Sequence, residues 1–356
     1  MNRKSPRYKD WKKRREEKIF RHRQKRKALK KGYNQTPKQK VDNESRNEVV
    51  RPSQEITFVA PSTFSFQNNV SETTSFFNGI IRYIKNRRNF GKMIFIDISS
   101  VTKLTSDALM YLLAIINNLN HGLRKYQFSG NAPADPIVQK QFEESGFYRY
   151  VRKKGQRILK ENKDILQIES GDKCNNHIAK QISDFACAQA DVTDRRKCSF
   201  LYDMSIELLS NTCKHAYSSG KGRFLLPRWY YFVKRIDKDT LSFVFLDTGE
   251  GIPATVQRKF SEKIDLLNLR GDRSYVISAF NGEFRTSTMK GYRGKGLPKL
   301  RSYCTDGRII DFRVITNRAD IKILQTGYEA YDMSTSLCGT LYSWKIKLSS
   351  LKGENL

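Results

Sequence analysis

Apolar positions change their period along this chain, and each change marks a different element. Asp203, Glu207, Asn211 and His215 recur every four residues, beside a stripe of Leu201, Met204, Leu208 and Thr212. That spacing predicts one helix with a polar line next to an apolar one. Leu241-Ser-Phe-Val-Phe-Leu246 is instead an almost continuous apolar run, which reads as a buried strand delivering Asp247 at its end. The pattern from Leu297 through Tyr303 predicts a helix, and that from Leu337 through Ile346 a closing strand. Upstream, a strand over 92–97, an amphipathic helix over 107–119, a strand over 125–129 and a helix over 136–144 that ends at Ser145-Gly146-Phe147 form one compact unit between 56 and 155. A further helix runs through His177 to Ile182. Strands and helices mixed in this way predict an α/β fold.

Three short segments of the second half carry candidate chemistry. In Glu207-Leu-Leu-Ser-Asn211 an acid and a carboxamide lie one helical turn apart. The carboxylate of such a pair can orient or deprotonate a water, and the amide oxygen can ligate Mg²⁺. In Asp247-Thr-Gly249-Glu-Gly251-Ile-Pro253 a carboxylate at a strand end can accept from an exocyclic adenine amine, while the two glycines let the backbone approach the base and turn. In Gly291-Tyr-Arg-Gly294-Lys-Gly296-Leu297-Pro298 the glycines permit backbone N–H groups to approach phosphate oxygens at the start of a helix. Taken singly, these segments also read as a solvated helix face, an ordinary turn after a strand, and a flexible basic loop.

In order and separation the three segments resemble the N, G1 and G2 boxes of the GHKL ATPase superfamily, which includes gyrase, MutL, the large heat-shock chaperones, histidine kinases and the anti-sigma-factor serine kinases. Leu337-Cys-Gly339-Thr340-Leu-Tyr-Ser-Trp-Lys-Ile346 is similar to the closing strand of that fold. The resemblance implies an α/β sandwich of the Bergerat type over 170–350, with ATP and Mg²⁺ as cofactors. It implies that Glu207 is the general base, that Asn211 is the metal ligand, and that Lys214, Asp247, Gly249, Gly251, Gly291, Gly294, Gly296, Leu297 and Thr340 line the nucleotide. The 39 residues between Gly251 and Gly291 take the place of the ATP lid; long and polar, they are expected to be a mobile segment that orders on nucleotide rather than part of the core.

The unit over 56–155 resembles a STAS domain, through Asp97-Ile-Ser-Ser100-Val and Leu104-Thr-Ser-Asp-Ala-Leu109 at its strand-to-helix joint. In antagonists of that family a serine at this joint is phosphorylated. Here Ser106 aligns but the preceding aspartate and the glycine are missing, so Ser106 is expected to be a helix N-cap. A histidine kinase is disfavoured, because His121 sits in an Asn-His-Gly turn and His177 lacks a following acid.

Composition adds a partner class. The formal net charge is +30, and residues 1–34 carry 16 Lys or Arg against three acids. Tyr8, Trp11, Phe20 and Tyr33 lie between these bases. A polyanion, most simply nucleic acid, is the expected partner of this basic tail, with residues 35–55 as linker. A protein partner at the STAS-like unit and a homodimer remain open. The six cysteines form no Cys-x-x-Cys pair and are expected to be reduced. The longest apolar stretch, Ala108 to Ile116, is too short to span a bilayer, and a cytoplasmic location without a membrane span is expected. The resulting expectation is an ATP-binding and hydrolysing switch, with a protein serine kinase of the anti-sigma type as the alternative.

Overall fold

The computed structural model describes residues 55–89, 92–122, 127–151, 162–213, 225, 227–284 and 296–353. They form a mixed α/β structure with three sheets. In chain order the first part contains β1 (Glu55–Val59), β2 (Thr63–Phe64), α1 (Val70–Lys85), β3 (Met93–Asp97), β4 (Lys103–Leu104), α2 (Ser106–Gly122), β5 (Gln127–Gly130) and α3 (Pro136–Glu144). Strands β1, β3 and β5 make a parallel sheet in that order, and β2 pairs with β4. Helix α1 follows from its spacing: Thr73, Phe76, Phe77, Ile80, Ile81 and Ile84 recur at three- and four-residue intervals, and all are buried. Asp135 caps α3 by accepting from the Ile137 and Val138 N–H groups at 2.8 and 3.0 Å, with Pro136 in the first turn.

The second part contains β6 (Ile165–Gly171), α4 (Asn176–Gln189), α5 (Ser199–Asn211), β7 (Trp229–Arg235), β8 (Thr240–Asp247), α6 (Ile252–Lys259), α7 (Ser261–Leu266), α8 (Gly271–Asn281), α9 (Gly296–Thr305), β9 (Ile310–Ile323), β10 (Tyr328–Lys347) and α10 (Leu348–Lys352). Its five strands form one antiparallel sheet in the order β6-β7-β8-β10-β9. Both faces of this sheet are covered. Leu241, Phe243 and Phe245 of β8, with Trp229, Tyr231 and Val233 of β7, enter a core shared with Met204 and Leu208 of α5, Val276 and Phe280 of α8, and Leu300 of α9. The alternate residues Val244 and Leu246, with Tyr230 and Phe232, enter a second core shared with α1, α2 and β3. Strand alternation therefore serves two layers at once, which is why β8 reads as a continuous apolar run.

Four expectations need correction. Helix α2 is apolar all round rather than amphipathic over its middle, because residues Ala108 to Ile115 are wedged between their own sheet and the five-stranded one and are at most 2% exposed. His121 lies in the last turn of that helix, not in a separate turn. Ser106 is the first helical residue and not the cap: the carbonyl of Thr105 accepts from the Leu109 N–H at 3.1 Å, which makes Thr105 the N-cap. The segment after Gly251 is largely built into the fold, since α6, α7 and α8 fill much of it, and Val276 and Phe280 are fully buried. Apolar residues at Tyr275, Val276, Ala279 and Phe280 give α8 the two-wide stripe of a core helix despite its polar flanks.

Cysteine chemistry also departs from expectation. Cys187 of α4 and Cys198, just before α5, form a disulfide, while Cys174, Cys213, Cys304 and Cys338 are free. The reason is tertiary: the Ser183 hydroxyl donates to the Cys198 carbonyl at 3.0 Å and draws the start of α5 against α4, where the two Cα atoms stand 6.1 Å apart. Among the described residues no helix is long and apolar enough to cross a membrane. Alkylation of the unfolded but unreduced protein is expected to label four cysteines, and of the reduced protein six. Cys198→Ser is expected to cost about 2–4 kcal/mol of stability under oxidising conditions and nothing comparable in excess dithiothreitol, as read by denaturant titration.

Candidate functional site

Helix α5 presents its polar line as its sequence spacing demands. Leu201, Met204, Leu208 and Thr212 are buried against the sheet, so Asp203, Glu207 and Asn211 turn to the adjacent side, where each is half-buried. Helix α9 crosses that side. Its Lys299 ammonium donates to Asp203 Oδ2 at 2.7 Å, and its first residue, Gly296, sits directly on the other two. A methyl group at Gly296 would come within 2.6 Å of Glu207 Oε2 and 3.2 Å of Asn211 Nδ2. The absence of a side chain there brings the acid, the amide and the N-terminus of a ten-residue helix to one place.

Asn211 is chemically unfinished. Its Nδ2 is buried with no hydrogen-bond partner. The two ends of a carboxamide are interchangeable by rotation, so the same group can offer an oxygen. Among the described residues no cluster of three or more His, Cys, Asp or Glu side chains forms a metal cage. A single amide suits a hard cation that keeps its waters and takes further oxygens from phosphate, as Mg²⁺ does. Asn211 therefore fits that role.

The second cluster lies at the end of β8. Asp247 is 5% exposed, pairs in register with Trp229 on one side and Thr340 on the other, and accepts the Gly249 N–H at 2.9 Å. Burial pushes its carboxyl up to about 7, against the opposing pull of hydrogen bonds with Gly249 and Thr340. Gly339 has φ +95° and lies so close to the Asp247 carbonyl that any side chain would collide with it. Gly251, at φ +89°, is equally tight against the Asn317 side chain. From Thr316 the hydroxyl donates to the Gly339 carbonyl at 3.1 Å, meets the Thr340 hydroxyl at 3.2 Å and accepts the Ile252 N–H at 3.1 Å.

The two clusters belong to one neighbourhood, because Ile252, just after the Asp247 segment, and Leu297, just after Gly296, pack against the same two apolar cores. Glu207, Asn211, Gly296 and Leu297 thus form one group, and Asp247, Gly249, Gly251 and Thr340 the other. Lys214, His215, Gly291 and Gly294 lie outside the described residues, as do residues 1–34.

Thr316 and Asn317 escape sequence reasoning. Asn317 has φ +48°, donates to the Glu250 carbonyl at 3.1 Å and keeps a buried Oδ1 without a partner. The only signal is an asparagine, tolerant of left-handed backbone, after the strand-like run Phe312-Arg-Val-Ile-Thr316. No known protein family matches this chain, and no curated protein matches it.

The raised carboxyl of Asp247 yields a prediction. Between the ordinary aspartate value of 3.8 and about 7 the folded state holds a proton that the unfolded chain releases. Stability is therefore expected to fall as pH rises through that window and to level off above it. Asp247→Asn removes this contribution, so its melting temperature relative to the wild type should be higher at pH 8 than at pH 5, by roughly 2–4 °C for each kcal/mol recovered. Parallel thermal melts at the two pH values check it.

Proposed function

We propose that the chain is an ATP-binding switch protein of the GHKL type that hydrolyses ATP with Mg²⁺, preceded by a STAS-like unit and by a basic segment that engages a polyanion. One observation carries this reading: Glu207 and Asn211, from one sequence motif, converge on Gly296, from another 85 residues away, at the start of a helix. That convergence joins a general base and a metal ligand to backbone donors suited to phosphate. Asp247, with Thr340 and Gly249 beside it, supplies the acceptor for an adenine amine.

In this reading Asp247 and the glycine backbone hold the base, and the N–H groups at the start of α9 hold phosphate oxygens. Mg²⁺, which Asn211 would hold, would neutralise charge on the phosphates. Glu207 takes a proton from the attacking water, whose oxygen bonds to the γ-phosphorus as the bond from that phosphorus to the β,γ-bridging oxygen breaks, giving ADP and phosphate. Incubation with γ-labelled ATP tests the class: free phosphate supports the hydrolysing switch, and label on a protein serine supports a kinase instead. Glu207→Ala is expected to keep Mg-ATP bound while turnover drops roughly 10²- to 10⁴-fold, measured by calorimetry and phosphate release. Equal loss of both would make Glu207 structural.

The polyanion arm rests on charge distribution. Over the described residues Lys and Arg are nearly balanced by Asp and Glu, so most of the +30 lies in the remaining segments, residues 1–34 foremost. Each phosphate neutralised releases counterions, and affinity for duplex DNA should fall with log salt at a slope of about −0.9 per contact. Deleting residues 1–34 is expected to flatten that slope while leaving ATP affinity unchanged. An unchanged salt series would remove nucleic acid from the role of these residues.

A further inference from the structure

Strand β10 departs from its partner β9 at the candidate site. Leu337 pairs with Asn317 and Thr340 with Thr316, so Cys338 and Gly339 are extra residues on β10, bulged out of the ladder. A bulge frees backbone groups that must be satisfied elsewhere. Here a side chain from the first part of the chain satisfies both groups of Cys338: the Tyr111 hydroxyl donates to its carbonyl at 3.0 Å and accepts its N–H at 3.2 Å. Tyr111 lies on α2, is 1% exposed, and has its ring locked edge-on against Phe66 and Phe77, with centroids 5.5 and 4.6 Å away. Its hydroxyl is therefore held from behind by a rigid aromatic cluster. The next residue along β10 is Gly339, pressed on the Asp247 carbonyl, and the one after is Thr340, hydrogen-bonded to the Asp247 carboxyl.

We propose that Tyr111 is a positioning residue for base recognition: its hydroxyl pins the Cys338–Gly339 bulge, and the pinned bulge fixes Thr340 and Asp247 in the geometry that accepts an adenine amine. The N-terminal α/β layer is then a structural part of the nucleotide site. A partner that shifts α2 is then expected to change nucleotide affinity through this hydroxyl. The inference rests on the reading of Asp247 as an adenine acceptor, but the positioning itself has a readout that does not.

The test uses the full-length chain carrying Tyr111→Phe, which keeps the ring and its packing and deletes only the hydroxyl. Two hydrogen bonds are lost, and ATP affinity is expected to weaken about tenfold. GTP affinity should change less, so that the ratio of ATP to GTP affinity falls toward one. Ile80→Val, buried in the same core, serves as a destabilised control, and it should leave the ratio unchanged because loss of folded protein affects both nucleotides equally. In parallel, amide hydrogen exchange in nucleotide-free protein should speed up at Cys338 to Thr340 in Tyr111→Phe and not in Ile80→Val. A Tyr111→Phe protein with wild-type exchange at Cys338, or with an unchanged ATP to GTP ratio, overturns the proposal. If the wild type binds neither nucleotide, the ATP reading falls, and with it the role in base recognition; the exchange measurement then shows only whether Tyr111 pins the bulge.

Discussion

The five-stranded antiparallel sheet has no face to spare for water, and the rest of the molecule follows from that. Phe243 and Phe245 point to one side of β8 and Val244 and Leu246 to the other, all essentially without exposure. Each large apolar side chain so buried contributes about 1.5–3 kcal/mol relative to exposure. Either face left open would forfeit many such terms at once. The helices α4, α5, α8 and α9 close one face, and α2 with its small parallel sheet closes the other. The N-terminal layer is thus not an appendage but one wall of the second core.

Two-sided burial also explains why polar groups near the strand ends are so thoroughly connected. Arg313 and Asp320 pair within β9 at 2.5 Å, 12% and 7% exposed, and Arg313 also donates to the Gln67 carbonyl of the N-terminal layer at 3.4 Å. Asp107, fully buried, accepts from the Phe66 and Ala108 N–H groups at 3.4 and 2.7 Å and from the Thr105 hydroxyl. Burial raises its pKa, offset in part by those bonds and by Arg313. Leaving any one of these groups unpaired in the interior would cost more than the bond contributes net. Against that background the exceptions stand out: Asn211 Nδ2 and Asn317 Oδ1 are buried and unpartnered, and both lie beside a glycine that admits close approach. Thr74, Gln141, Tyr231 and Trp344 also bury an unpartnered polar atom, away from these clusters, so it is the glycine contact that sets the two asparagines apart.

Glycine supplies the rest of that geometry by subtraction. Gly296 lets α9 rest on Glu207 and Asn211, and Gly339 lets the β10 bulge touch the Asp247 carbonyl. Neither contact survives a Cβ without movement of backbone or of the candidate groups themselves. Such positions join segments far apart in sequence, since Gly296 meets residues of α5 and Gly339 meets the end of β8.

Sequence by itself determined the elements whose pattern is local. The four-residue recurrence of Asp203, Glu207 and Asn211 set α5 and its two stripes, Asp135-Pro136 set the start of α3, and the apolar run at Leu241–Leu246 set a buried strand ending in Asp247. These features follow from side-chain periodicity and capping, which act within a few residues. Tertiary structure alone decided what those elements meet. No local rule could show that Gly296 would lie on Glu207, that Thr316 and Asn317 would brace Gly339 and Gly251, or that the Tyr111 hydroxyl would complete a bulge 227 residues away. Nor could spacing join Cys187 to Cys198, because that bond depends on how α4 packs against the start of α5. The stretch after Gly251 misled for the same reason: its polar composition suggested a lid, whereas Val276 and Phe280 find their partners in the core. Hydrophobic burial is indifferent to separation along the chain, so its pairings become visible only once the layers have closed.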